Sequence, residues 1–147
     1  VESLCDNNYC LPPSSGLLPQ YLTSWSGHVK SWTEAPGLTI HVMRYEDMVQ
    51  NPIRTFGTLV KFMGFRKNLD RLKRAIKFSS FKELSKQETA TRFVESRPDG
   101  KAKFFRAGQS GSWRAALSEE QTETLIERHR EVMVKLGYLG KNGRLTI

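Results

Sequence analysis

Cysteine is scarce in this chain, long apolar runs are absent, and no G-x-x-x-x-G-K-[ST] loop occurs anywhere in it. Each absence excludes something. Two cysteines, Cys5 and Cys10, cannot build a multiply bridged scaffold. They either close one short loop in an oxidising compartment or remain two thiols in a reducing one. A zinc site needs further ligands, and His28, His41 and His129 have no ligand-like spacing with them, so no metal is expected. No run approaches the ~20 apolar residues of a membrane helix, so no membrane partner is expected. The missing G-x-x-x-x-G-K-[ST] motif excludes the standard nucleotide P-loop. The chain opens at Val1 without a basic segment followed by an apolar one. The expectation is therefore a cytoplasmic location, and, with no initiator methionine, a processed, trimmed or partial chain.

What is present is a length suited to one domain or part of one, with 38% hydrophobic and 26% charged residues, ordinary values for a folded protein. The formal charge of +8 favours an anionic partner: nucleic acid, acidic lipid, or a small molecule bearing phosphate or sulfate.

Residues 1–20 contain Leu11-Pro12-Pro13-Ser14-Ser15-Gly16 and read as an irregular lead-in. From Tyr21 to Glu34, Trp25, Val29 and Trp32 recur at helical spacing, and Pro36-Gly37 ends the pattern. Residues 38–44, with Ile40, Val42 and Met43, predict one buried strand. Asn51-Pro52 opens a helix with Ile53, Phe56, Leu59, Val60 and Met63 as its buried stripe and Gly64 as its stop. Asn68 caps another, with Leu69, Leu72 and Ile76 inward and Arg71, Lys73, Arg74 and Lys77 near the surface. Ser79 to Leu84 begins a short helical piece, and Ser118 with Gln121 forms a capping box for the last helix, which ends at Gly137. The expectation is thus a mainly α chain of about five helices with one strand, and a tail at 141–147.

A long loop, Thr91 to Ser112, holds the run Phe104-Phe105-Arg106-Ala107-Gly108-Gln109-Ser110-Gly111-Ser112-Trp113-Arg114. These are the parts of an anion site. Its glycines let the backbone approach a ligand and turn N–H groups toward it. Arg106 offers a planar fork of donors, Lys101, Lys103 and Arg114 add positive potential, and Phe104 and Phe105 offer ring faces.

The spacing Arg106-x-Gly108-x-x-Gly111-x-Trp113-Arg114 resembles the R-K-G-x-x-G-x-W-K signature of sulfotransferases that use 3′-phosphoadenosine 5′-phosphosulfate (PAPS). Ser79-Ser80-Phe81-Lys82-Glu83-Leu84 is similar to their T-S-F-K-x-M segment. Arg44-Tyr45-Glu46-Asp47-Met48 is similar to their [RF]-Y-E-D-[LM] strand end, and Ser24-Trp25-x-x-His28-Val29-x-x-Trp32 to the preceding helix. The matches follow the family's order over residues 21–138, so 21–140 is expected to be the C-terminal part of a sulfotransferase domain, whose full fold is α/β around a parallel sheet. The resemblance implies that Arg106 and the backbone of Ala107 and Gly108 hold the donor's 3′-phosphate. It also implies that Phe81 packs on the adenine, that Ser79 and Tyr45 reach its edge, and that Phe104 and Phe105 line the nucleotide. Ala107 departs from the pattern, where lysine is usual, which puts one phosphate contact in doubt or passes it to Lys103.

The family's other signature, the strand–loop–helix that binds the 5′-phosphosulfate, finds no match here, nor does its catalytic histidine. His28, His41 and His129 read as structural, and Glu46-Asp47, adjacent at a strand end, read as capping rather than as a catalytic carboxylate pair. No catalytic residue is assigned. The resemblance implies a small-molecule nucleotide donor, transfer to a hydroxyl or amine of an acceptor that the sequence does not identify, and a chain inactive alone, its other half supplied by further residues, another chain or exchange between two copies. The alternative is a non-catalytic basic module binding nucleic acid through the charges of residues 71–77. It lacks any helix-turn-helix, zinc or RNP-like signature.

Overall fold

The computed structural model describes residues 1–13, 18–91, 104–105 and 107–146. The chain divides into two compact units, Val1–Val42 with Gly111–Ile147, and Met43–Ser110.

In the first unit the elements are α1 (Glu2–Cys5), β1 (Cys10–Leu11), β2 (Gln20–Tyr21), α2 (Trp25–Thr33), and, in the C-terminal part, α7 (Trp113–Ala116) and α8 (Glu119–Lys135). The capping box forms as the sequence predicts. Ser118 Oγ accepts the Gln121 N–H at 3.2 Å, and Gln121 Oε1 accepts the Ser118 N–H at 3.1 Å. Gly137, at φ +73°, ends the α8 spiral, with Tyr138 N–H returning to the Met133 carbonyl. The chain then folds back so that Leu139 bridges Leu145, and Leu139 and Val132 are buried. Ser24 caps α2, accepting the Gly27 N–H. The ring of Trp25 stands edge-on to His129 and Tyr138, with Lys30–Glu131 and Lys135–Glu34 ion pairs clasping α2 to α8. β1 and β2 are antiparallel, Cys10 opposite Tyr21, and form the one sheet among the described residues.

The second unit is a succession of helices: α3 (Tyr45–Gln50), α4 (Pro52–Phe62), α5 (Leu69–Phe78) and α6 (Phe81–Thr91), each packed on the next except where noted below. Pro52 stands in the first turn of α4, where its missing N–H costs nothing. Gly64 at φ +77° ends that helix, and the Phe65 N–H reaches back to the Val60 carbonyl. Asn68 Oδ1 accepts the Arg71 N–H at 2.9 Å and starts α5, whose Leu72 is buried.

Two expectations need correction. Residues 38–44 are not a strand, and Leu38, Ile40 and Val42 are 59, 38 and 49% exposed. Strand propensity is a preference for a covered, pleated surface, and the sheet present, β1–β2, does not include this segment. On α4 the buried positions are Thr55 and Gly57, while Ile53 and Met63 are exposed and Phe56, Leu59 and Val60 half-buried. The Thr55 hydroxyl donates to the carbonyls of Asp47 and Asn51 at 2.9 Å, seating α4 on α3. Gly57 faces Leu72 of α5. Packing to neighbours, rather than the apolar stripe, decides which side of α4 is covered.

Candidate functional site

The site residues that the structure joins lie in the second unit. Ser79 caps the C-terminus of α5, its N–H held by the Ala75 carbonyl, and is exposed. Ser80 then launches α6, its carbonyl accepting the Leu84 N–H at 3.0 Å. This places Phe81 at the first position of α6, half-buried.

The signature loop comes to that ring. Gly108 takes φ +60°, a left-handed conformation that glycine adopts without steric cost. A Cβ built on it would overlap Cγ and Cδ2 of Phe81 and stand 2.9 Å from Cε2. Phe105 packs edge-on to Phe81 at 6.2 Å between ring centres, and Phe104 edge-on to Phe105 at 5.1 Å. The backbone of this aromatic pair is anchored by a residue that motif reading missed. The Glu88 carboxylate of α6 accepts the N–H of Phe104 at 2.6 Å and that of Phe105 at 3.1 Å. Only its helical position, two turns beyond Phe81, hinted that it could reach the loop.

Ala107 is exposed beside Gly108. Arg106, Lys101 and Lys103 lie outside the described residues. The structure gathers Phe81, Phe105 and Gly108. Tyr45, 46% exposed, opens α3. Next to it, Arg44 grips Asp47 with two nitrogens at 2.7 and 2.8 Å, and this hydrogen-bonded charge holds the Asp47 carboxyl below its ordinary pKa. Glu46 and Asp47 thus occupy the first turn of a helix rather than a strand end.

The rest of the signature belongs to the first unit. Gly111 is at φ +81°, Arg114 lies 4.7 Å over the Trp113 ring, and the half-buried Trp113 has an Nε1 without a hydrogen-bond partner among the described residues. His28 is exposed, His41 half-buried and His129 buried. Cys5 and Cys10 are both free thiols. Among the described residues no cluster of His, Cys, Asp and Glu is placed to hold a metal, and no helix is long and apolar enough to cross a membrane.

Charge is divided unevenly between the two units. Residues 43–110 carry sixteen of the chain's 23 Lys and Arg but only seven of its 15 Asp and Glu, a net +9, which leaves the first unit at −1. A unit with this imbalance and a left-handed glycine loop against an aromatic ring suits an anionic ligand with a ring.

Residues 19–137 match the sulfotransferase domain. The chain is 30% identical over 105 residues to dog Sulfotransferase 1A1, covering 68% of this chain and 35% of that protein. It is 26% identical over 136 residues to guinea pig Sulfotransferase 1E1, covering 82% and 46%. Its fold is similar to that of mouse sulfotransferase SULT7A1, whose crystal structure is a complex with PAP, at a TM-score of 0.59 and 22% identity over 76% of this chain and 41% of that one. The chain belongs to the sulfotransferase family. It spans less than half the length of these relatives.

Proposed function

We propose that the second unit holds the 3′-phosphoadenosine end of PAPS and that the chain is the donor-binding part of a sulfotransferase. The observation that carries this reading is the contact of Gly108 with Phe81, which ties the signature loop to the S-F-K segment without room for a side chain between them. In this reading Phe81, buttressed by Phe105, presents its ring to the adenine, and Ser79, exposed at the end of α5, reaches the base edge. Arg106 and the N–H groups of Ala107 and Gly108 take the 3′-phosphate, each charge-assisted bond contributing roughly 1.5–3 kcal/mol. Tyr45, exposed at the start of α3, reaches the same base edge. The bland side chain of Ala107 leaves Lys103 to supply the cation that lysine supplies elsewhere in the family.

Bound PAPS supplies an activated sulfuryl group for in-line transfer to a hydroxyl or amine. The residues of this chain contribute affinity and selectivity for the donor. The loop for the 5′-phosphosulfate and the base that takes the acceptor's proton come from outside this sequence, and the chain alone is inactive.

The test is calorimetric titration with adenosine 3′,5′-bisphosphate, with adenosine 5′-monophosphate as the control, repeated on Arg106→Ala. The reading expects binding that needs the 3′-phosphate and falls at least tenfold in the variant. Equal binding of both nucleotides, or tighter, steeply salt-dependent binding of duplex DNA, would replace it with the nucleic-acid reading.

A further inference from the structure

His129 of α8 is 4% exposed, and both of its ring nitrogens meet side chains from other elements. Ser26 Oγ of α2 lies 2.8 Å from Nδ1, and Cys5 Sγ of α1 lies 3.8 Å from Nε2. Trp25 stands edge-on to the ring at 5.4 Å and fixes its plane. A thiol on one imidazole nitrogen and a hydroxyl on the other form a nucleophile, a base and an orienting group. In the tautomer protonated on Nδ1, the ring donates to Ser26 and Nε2 keeps its lone pair toward the thiol.

We propose that Cys5 is a thiol–disulfide exchange site, with His129 as its base and Ser26 as the residue that positions that base. In the exchange the Cys5 S–H proton passes to Nε2 as the sulfur attacks one sulfur of a small disulfide. The S–S bond breaks, a mixed disulfide forms on Cys5, and the departing sulfur takes the proton back from Nε2. Cys5 is oxidised and one half of the small disulfide is reduced, so no other reagent is consumed.

Two observations support the assignment. Burial lowers the pKa of His129, with the Leu4 carbonyl opposing and the Arg128 charge adding to the lowering. Of the charges that join α2 and α8, Lys30 and Glu131 are paired with each other at 2.7 Å and Lys135 with Glu34 at 2.8 Å. Cys10 provides the contrast within the same chain. Its Sγ faces the Leu11 carbonyl at 3.4 Å, an acceptor that cannot take its proton away.

The test uses the whole chain with 2-hydroxyethyl disulfide as the probe, following the mixed disulfide on each cysteine by peptide mass spectrometry at pH 7. Cys5 is expected to react about tenfold faster than Cys10. Ser26→Ala should slow Cys5 severalfold and leave Cys10 unchanged, and His129→Gln should bring Cys5 down to the rate of Cys10. Since His129→Gln removes a buried ring and can unfold the first unit, the decisive comparisons are Cys5 against Cys10 in the unsubstituted chain and Cys5 before and after Ser26→Ala. A Cys5 no faster than Cys10, or one whose rate Ser26→Ala does not move, would show a packed thiol and overturn the proposal.

Discussion

Gly108 and Phe81 exclude any side chain between them: the glycine is at φ +60° and its missing Cβ would fall on the phenyl ring. Gly108→Ala therefore adds left-handed strain of about 1–2 kcal/mol to a displaced ring. The second unit should lose about 1–3 kcal/mol in urea unfolding, and affinity for adenosine 3′,5′-bisphosphate should fall at least tenfold, about 1.4 kcal/mol. Combined with Phe81→Ala, the two losses should fall short of their sum by about 0.5–3 kcal/mol. Strict additivity would mean that the loop and the ring are not in contact in solution.

Glu88 holds the backbone of Phe104 and Phe105 with one carboxylate. Hydrogen bonds to a charged acceptor are worth about 1.5–3 kcal/mol, and Glu88→Ala leaves both donors to water. Hydrogen exchange at the Phe104 and Phe105 amides should accelerate more than tenfold while amides within α5 stay as they were. Unchanged exchange at those two amides would remove Glu88 from the site.

The parts of this fold that sequence reading recovers are those whose cause is local. Ser118 with Gln121, Asn68, Pro52 and the stop glycines Gly64 and Gly137 each act within one turn, and all appear where the sequence puts them. Residues 38–44 and the stripe of α4 failed for a shared reason. Apolar patterning states which residues want cover, but the covering surface has to exist, and this chain spans less than half the length of its relatives. For the site, Phe81, Phe105 and Gly108 were legible because motif residues carry the contact. Glu88 was not, since an acid on an exposed-looking helix resembles any solvated acid until the loop folds onto it.

The exposed row Leu38, Ile40 and Val42 makes a prediction about solution behaviour. Alternating apolar residues in an uncovered segment promote association between chains. Ile40→Lys with Val42→Lys should lower the average mass seen by sedimentation at high concentration. Stability should move by less than about 0.5 kcal/mol, as for surface positions. A large loss of stability would instead show that these side chains are buried in the folded chain.

His129 gives the first unit a pH dependence whose sign follows from its surroundings. Burial holds its folded-state pKa below the ~6.5 of an exposed histidine, Leu4's carbonyl opposing and Arg128 assisting. Between the two values the unfolded chain binds more protons than the folded one, so stability rises with pH across that window. The contribution is complete above ~6.5, declines as pH falls from there toward the folded value, and loses nothing more below it. The lowered carboxyls, Glu34 against Lys135 and Asp47 against Arg44, act only in the acid range below ~4.5, and Lys30, raised by Glu131, only in the alkaline range. Urea unfolding from pH 8 to pH 5 covers the histidine range, and the share of His129 is the difference between the unsubstituted chain and His129→Gln. Stability should fall across this range, and His129→Gln should flatten the slope. A flat profile in the unsubstituted chain would mean that His129 titrates as an exposed histidine does, and with that its place between Ser26 and Cys5 would be lost.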